Sequence, residues 1–268
     1  MFIGDLVGQP GIALFRKWAP ILKEKHKLNA IIVNGENSAN KGIGITANGI
    51  VELKEGGASI ITTGNHAWDN KDVYTALNER NDVIRPANYP AQCPGKGYAL
   101  FTVENQTVAI VNLHGRVFIK DLIDCPFKAA ETIISFLQHK TKIIFIDFHA
   151  EATSEKTAFG FFLDGKVSGI FGTHTHVQTA DERILPNGTG FITDLGCCGA
   201  LNSVIGMRYE EIIKRLTIHN KFGKFMVETK GPMILCGIII DINIQTGKAV
   251  HIERVRITDE EIERNFAQ

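Results

Sequence analysis

Near the middle of the chain, Gly172-Thr173-His174-Thr175-His176 places two histidines one residue apart, after the apolar run Val167 to Phe171. That run reads as a strand. Side chains at i and i+2 of an extended backbone share a face, so the two imidazoles stand side by side at a strand end, among small residues. Such a pair can grip one metal ion or two. Taken alone, it reads equally well as two solvated loop histidines. The ends of the other apolar runs decide. Asp5 follows Met1 to Gly4, Glu36 and Asn37 follow Ala30 to Val33, Asn65 and His66 follow Ala58 to Thr63, and His149 follows Lys142 to Phe148. Each alone is ordinarily a turn or cap residue. Together they put metal-competent groups at the C-terminal ends of successive strands, the edge where open α/β sheets collect ligands.

Carboxylate, amide and imidazole donors without thiolate suit Mn, Fe or Zn ions rather than a structural zinc. Asp5, Glu36, Asn37, Asn65, His149, His174 and His176 are too many for one ion, and a carboxylate such as Glu36 can bridge two. Two divalent ions against Asp5, Glu36 and a bridging hydroxide leave a net positive charge that attracts an anionic ester. Two ions ~3.5–4 Å apart clamp the attacking and leaving oxygens of a displacement. His66 directly follows Asn65. If Asn65 faces the metal, extended backbone turns His66 the other way, toward substrate, as a general acid. The alternative for His66 is a hydrogen-bond partner behind the ligands.

The elements that must hold these groups come in a regular order. A helix carrying Ile12, Phe15, Trp18, Ile21 and Leu22 follows Gly8 to Gly11, with a kink expected at Pro20. Thr46 reads as the cap of a helix through Ile50 and Leu53 that Gly56-Gly57 closes, and Asp69 as the cap of one through Val73 and Leu77. Strand, loop and helix alternate three times, which predicts a parallel α/β layer. Tyr98 to Val103 and Thr107 to Asn112 form a hairpin around Glu104-Asn105-Gln106. Phe127 to Lys140 and Met207 to Leu216 are helices, the second with Ile212, Ile213 and Leu216 inward. Ile234 to Ile242 and Val250 to Ile257 pair across a Gly247 turn. With no linker or repeat, a single domain over residues 1–268 is expected.

The 268 residues have a formal net charge of zero, which argues against a polymeric nucleic acid or an acidic membrane as partner. No apolar run approaches the ~20 residues that span a bilayer. The five cysteines, Cys93, Cys125, Cys197, Cys198 and Cys236, form no Cys-x-x-Cys pair and suit a reducing cytoplasm. A soluble cytoplasmic protein is expected, and a homo-oligomer is compatible with the sequence.

Gly64-Asn65-His66, the strand-end His149 and Gly172 to His176, in that order, resemble the signature of the calcineurin-like metallophosphoesterase superfamily. The form is similar to the YmdB-like bacterial phosphodiesterases. The likeness extends through Phe2-Ile3-Gly4-Asp5, Asn34-Gly35-Glu36-Asn37, Gly64 to Asp69, Arg85-Pro86-Ala87-Asn88, Phe145 to Lys156 and Gly172 to Asp181. It implies two packed mixed β-sheets flanked by helices, in αββα order. It implies a dinuclear centre and hydrolysis of 2′,3′- or 3′,5′-cyclic nucleotides by in-line attack of a metal-bridging hydroxide. One ion would take Asp5, Glu36, Asn37 and His176; the other Glu36, Asn65, His149 and His174; His66 would be the acid. The wider superfamily begins Asp-x-His, where this chain has Val7, and uses Gly-Asp where this chain has Gly35-Glu36. Asn37 is the implied replacement ligand.

His114 and Arg116 close a strand and are candidates to reach a phosphate, although a loop arginine is more often a solvated or structural partner. Thr175 is a candidate to donate its backbone N–H to phosphate. Asp147 shares a face with His149 and could orient it; Asp194 is similar. His26, His139, His219 and His251 read as surface residues, and Phe159 to Phe162 as core or a contact between protomers. Two further functions fit the same residues: a phosphomonoesterase or nucleotidase, and a scaffold that keeps the fold without catalysis.

Overall fold

A computed structural model describes residues 1–218 and 225–261. His219 lies outside the described residues. In the first half, β1 (Phe2–Ile3), β2 (Asp5–Leu6), α1 (Gly8–Lys25), β3 (Ile32–Asn34), α2 (Ala47–Glu55), β4 (Ile60–Thr62) and α3 (Val73–Glu79) precede the hairpin β5 (Tyr98–Val103) and β6 (Gln106–His114). Then come α4 (Pro126–Gln138), β7 (Ile143–His149), α5 (Thr153–Leu163), β8 (Gly169–Thr173), β9 (Arg183–Ile184), β10 (Gly190–Ile192), β11 (Cys197–Ala200), α6 (Tyr209–Thr217), β12 (Met233–Ile242) and β13 (Ala249–Thr258).

The strands form two mixed sheets. One is seven-stranded, in the order β2-β11-β12-β1-β3-β4 with β13 beside β12; the other is six-stranded, β5-β6-β7-β8-β10-β9. β1, β3 and β4 run parallel, as do β6, β7, β8 and β10. Phe2, Ile32, Ile60 and Ile238 of the first sheet pack between the sheets against Ile110, Phe145, Phe171 and Ile192 of the second. The Phe2 ring lies 4.9 Å from Phe145 and 4.4 Å from Phe171. Burying each such ring contributes about 1.5–3 kcal/mol. On the outer faces, Phe15, Trp18, Ile50, Leu53 and Leu77 cover the first sheet, and Ala130, Ile134, Leu137, Phe159 and Leu163 the second. The order is helix, sheet, sheet, helix, as expected. Phe159 also stacks on Phe148, with ring centroids 4.1 Å apart, whereas Phe161 faces solvent.

Several local expectations hold and several do not. The Thr46 hydroxyl accepts from the Gly49 N–H and caps α2. α1 continues through Pro20 to Lys25 with the ring on its exposed side. Asp69 caps nothing: α3 begins after Asp72 without a side-chain cap, and Asp69 is drawn instead to His66. On α6, Ile213 and Leu216 point to solvent, and only Ile212 packs, against Val7, Cys197, Met207 and Val227. His26 and His251 are exposed, as expected, and their rings lie 3.9 and 3.7 Å from the Glu253 carboxylate. Among the described residues, no helix is long and apolar enough to cross a membrane.

Asp5 does not end the first strand but begins the second. At Gly4 the chain leaves β12 for β11: the Gly4 N–H donates to Cys236 O, and the Asp5 N–H to Gly196 O. A Cβ on Gly4 would stand 1.9 Å from the Gly196 carbonyl oxygen, so only glycine permits the exchange. The result carries Asp5 inward, under the ends of the parallel strands.

Candidate metal centre

Above the apolar layer between the sheets lies a polar one. Asp147, on β7, accepts Asn34 Nδ2 at 2.9 Å, Thr62 Oγ1 at 2.5 Å and Thr173 Oγ1 at 2.6 Å. Asn112 accepts from the Thr63 N–H and donates to Asp147 O. All of these residues are buried, and the carboxylate and amide acceptors satisfy donors from both sheets. Burial moves the Asp147 carboxyl up to about 6, against the hydrogen bonds that pull it down. His149 stands two residues on, with Nδ1 2.9 Å from Thr173 Oγ1.

The opposite nitrogen of His149 is the focus of the site. Within 3.1 Å of Nε2 lie Glu36 Oε2 at 2.6 Å, Asn65 Oδ1 at 3.1 Å and His174 Nδ1 at 3.1 Å. One ring nitrogen cannot satisfy three lone-pair donors with a single proton. The 2.6 Å approach of Glu36 Oε2 also lacks hydrogen-bond geometry: this oxygen, like Asp5 Oδ1, is buried with no hydrogen-bond partner. Asp5, Glu36 and His149 each offer a ligand atom within 4.8 Å of the others. Gly64 lets the groups close in, since a Cβ there would stand 2.3 Å from His149 and 2.4 Å from Glu36 Oε2.

Asp5 and His176 extend the cluster. Asp5 Oδ2 accepts from the His174 N–H at 3.1 Å, and Oδ1 lies 3.8 Å from His176 Nε2. His176 Nδ1 is 2.9 Å from Ile205 O, to which it donates, leaving Nε2 a lone pair toward Asp5. The Asn37 amide sits 3.1 Å from the same nitrogen through Nδ2; a half-turn of the amide would present Oδ1 instead. Burial, with Asp194 and Glu36 adding repulsion, holds the Asp5 carboxyl well above the usual carboxylate range. Burial likewise pushes His149 well below the usual imidazole range, and burial with neighbouring His149 brings His174 to about 3. Both imidazoles are therefore neutral near pH 7 with lone pairs to give. Crowded carboxylates beside neutral imidazoles are a donor set that fits divalent cations.

The His-Thr-His segment is held in an unusual shape. His174 and His176 have φ of 99° and 66°, the left-handed region that L side chains rarely adopt. Asp194 accounts for it. Its Oδ2 accepts the Thr175 N–H at 3.2 Å and hydroxyl at 2.8 Å, and takes the Lys156 ammonium at 2.7 Å; its Oδ1 accepts the Gly196 N–H. Thr175 therefore gives its backbone N–H to Asp194, contrary to the expectation that phosphate would receive it.

Asn65 and His66 lie in a turn rather than on the extended backbone expected for them. Asn65 faces His149, while the His66 ring, partly exposed, places Nδ1 2.7 Å from Asp69 Oδ2. The His66 N–H donates to Glu36 Oε1 at 2.5 Å, tying the pair to the bridge candidate. His114 is fully buried, with Nδ1 2.6 Å from Gly115 O and its ring 5.5 Å from that of His149. It is a wall beside His149 rather than an arm toward solvent. Arg116 is exposed; its N–H bonds Glu155, and its side chain lines an open depression of about 750 Å³ that includes Asp121 and Phe127. A second depression, about 230 Å³, is lined by His176, Val177 and Ile205.

Sequence reasoning passed over Thr173, Lys156, Asn34 and Glu151, the last 3.1 Å from His174 Nε2. Lys156 left one trace: a lysine among apolar residues on the inner face of α5.

The sequence and fold have close counterparts. The chain is 46% identical over 260 residues to a 2′,3′-cyclic-nucleotide 2′-phosphodiesterase of Bacillus subtilis (strain 168), covering 97% of each. A solved structure of a novel phosphatase from Mycoplasma pneumoniae superposes with a TM-score of 0.89 at 34% identity, over 98% of this chain and 95% of that one. The structure of a hypothetical protein from Thermus thermophilus gives 0.88 at 35% identity, over 96% of this chain and 98% of that one. The family model described as YmdB-like protein matches residues 1–255. This chain belongs to the YmdB-like protein family.

Proposed function

We propose that the protein is a metal-dependent phosphoric ester hydrolase acting on cyclic nucleotides, 2′,3′-cyclic before 3′,5′-cyclic, in a single domain located in the cytoplasm. The observation that carries this is the convergence of Glu36 Oε2, Asn65 Oδ1 and His174 Nδ1 on His149 Nε2, beside an unpartnered Asp5 Oδ1. The substrate preference is supported by the activity named for the Bacillus subtilis relative.

Asp5, Glu36, Asn37 and His176 would hold one ion; Glu36, Asn65, His149 and His174 the other, with Mn or Fe favoured and Zn compatible. Bound metal supplies Lewis-acid charge to the phosphoryl oxygens and makes a water acidic enough to attack near neutral pH. The charge balance supports two ions. Asp5, Glu36, Asp147 and Asp194 are buried here against the single ammonium of Lys156. Two divalent ions turn that negative excess into a small positive one, suited to a phosphate diester. His66, oriented by Asp69, protonates the departing ribose oxygen.

The test runs 2′,3′-cyclic AMP, 3′,5′-cyclic AMP and an aryl monophosphate side by side, on protein stripped by a chelator and reloaded with Mn²⁺, Fe²⁺ or Zn²⁺. Turnover of 2′,3′-cyclic AMP is expected to vanish on stripping and return on reloading. Turnover of the monophosphate alone would replace this reading with a phosphomonoesterase; turnover of none would leave the scaffold. His66→Ala is expected to lower kcat on the cyclic nucleotide by about 10²–10⁴-fold with metal content unchanged. On an aryl ester with an acidic leaving group the loss should be smaller, because that oxygen needs no proton.

A further inference from the structure

Of the nitrogens at the centre, His149 Nε2 has the most acceptors around it, and whether it carries a proton decides whether a cation can enter. We infer that Thr173, backed by Asp147, is a positioning residue that keeps the proton of His149 on Nδ1 and so leaves Nε2 open to metal. The inference rests on the metal-centre reading above.

The strand register makes the contact. His149 and Thr173 are directly paired across β7 and β8, so their side chains rise on the same face. Thr173 Oγ1 lies 2.9 Å from His149 Nδ1 and 2.6 Å from Asp147 Oδ1. A carboxylate only accepts. The Thr173 hydroxyl must therefore aim its one proton at Asp147, which leaves its oxygen to accept. It accepts from the His149 ring N–H, and from Asn34 Nδ2 at 3.4 Å. The chain of donors has one direction: His149 Nδ1–H to Thr173, and Thr173 O–H to Asp147. Asn34 Nδ2 and Thr62 Oγ1 fill the other oxygen of Asp147, so the carboxylate cannot easily turn away.

Asn65 and the Glu36 charge pull the other way. A proton on Nε2 would donate to Asn65 Oδ1 at 3.1 Å, stand beside the Glu36 carboxylate at 2.6 Å and shut the site to a cation. For that tautomer, Nδ1 would become a lone pair facing the Thr173 oxygen. The hydroxyl would then have to reverse and desert Asp147, at a site where every participant is buried and a lost hydrogen bond is not replaced by water. The Thr173–Asp147 pair outweighs the single bond to Asn65 because it would lose one bond and face a second repulsive contact. The partners lie on β3, β4, β7 and β8, so the correct tautomer also requires the two sheets to be seated together.

The experiment compares wild type with Thr173→Val, which keeps the shape and removes the hydroxyl, and with Thr173→Ser, which restores it. The first readout is the histidine tautomer in metal-free protein, from long-range ¹⁵N–¹H correlation of histidine-labelled samples. The His149 signal is identified by its absence in His149→Gln. Wild type and Thr173→Ser should show Nδ1–H, and Thr173→Val a shift toward Nε2–H. The second readout is Mn²⁺ or Zn²⁺ affinity, by competition with a chelating indicator. Thr173→Val should bind about 10–100-fold more weakly, and Thr173→Ser near wild type. Asp147→Asn gives a second route to the same tautomer change if the valine variant fails to fold. His149 as Nε2–H in the wild type overturns the inference whatever the metal content, and so does wild-type affinity in Thr173→Val. Nδ1–H in a wild-type protein that binds neither metal overturns the metal-centre reading instead, and upholds the tautomer assignment.

Discussion

Glu36→Gln is expected to abolish hydrolysis while making the metal-free protein more stable. The wild-type carboxylate is fully buried, with Oε1 taken by the His66 N–H and Oε2 lacking any hydrogen-bond partner. Beside Asp5, Asp147 and Asp194 it is one negative charge too many for a cation-free interior. The amide keeps the Oε1 bond and sets a neutral NH₂ where Oε2 stood. That exchange takes away a carboxylate oxygen a metal would need and the shared charge of both proposed ions. We expect kcat/KM for 2′,3′-cyclic AMP to fall by roughly 10³-fold or more, beyond the loss of a single hydrogen-bond donor at a charged transition state. Metal content should drop from about two ions per chain to one or none by elemental analysis. The melting temperature of the chelated protein should rise. Relief of about 1–3 kcal/mol from an unsatisfied buried group corresponds to roughly 2–12 °C in a chain of this size. Opposite signs for activity and stability are the signature of a site built at the expense of the fold. A variant that keeps two ions, or a tenth of the activity, would refute Glu36 as the bridge.

Lys156→Met is expected to be the most destabilising single change away from the apolar core. Lys156 and Asp194 are both almost fully buried and meet at 2.7 Å. Methionine fills most of the volume but leaves the Asp194 charge alone among neutral donors. Breaking a buried pair in this way costs about 3–5 kcal/mol, or roughly 6–20 °C in melting temperature. The damage should also reach the metal centre. Asp194 holds the Thr175 N–H and hydroxyl, and with them the left-handed His174 and His176. The double variant Lys156→Met, Asp194→Asn should recover a large part of the stability, because the orphaned charge is gone. Its activity should stay low, because an amide is a weaker anchor for two donors. Thermal melts of the two single variants and the double one close the cycle. A loss below about 1 kcal/mol for Lys156→Met would show that the pair is incidental.

Much of this arrangement is legible in the amino-acid sequence. Parallel strands buried on both faces are continuous apolar runs, so Ala30 to Val33, Ala58 to Thr63 and Lys142 to Phe148 announced themselves, and the polar residues at their ends followed. The two-sheet order came from the family resemblance, since strand runs alone do not say which sheet a strand joins. Other details depended on partners distant in sequence. Asp5 starts β2 because Gly4 meets Gly196, a contact that no local pattern encodes. Thr175 lost its proposed role to Asp194, nineteen residues on. Asp69 looked like a cap by position, but its carboxylate found the His66 ring three residues back. On α6 the apolar period was real; the sheets offer no surface to Ile213 and Leu216, so periodicity did not become burial. Thr173 was hidden for the plainest reason: a threonine between glycine and histidine carries no mark of the carboxylate beneath it.

The proposed ligand atoms around His149 come from both sheets, Asp5 and Glu36 from the ends of one and His149 and His174 from the other. Cations bound there would act as a clamp across the sandwich, absent from any partly opened form. Metal held at a hundred times its dissociation constant adds about 2.7 kcal/mol to the native state. Without it, mutual repulsion of the buried carboxylates works to part the same strands. Scarcity of metal would then shorten the protein's lifetime as well as silence it, because the opened chain is the form that proteases cut. In a cell, the abundance of this protein would follow its metal supply.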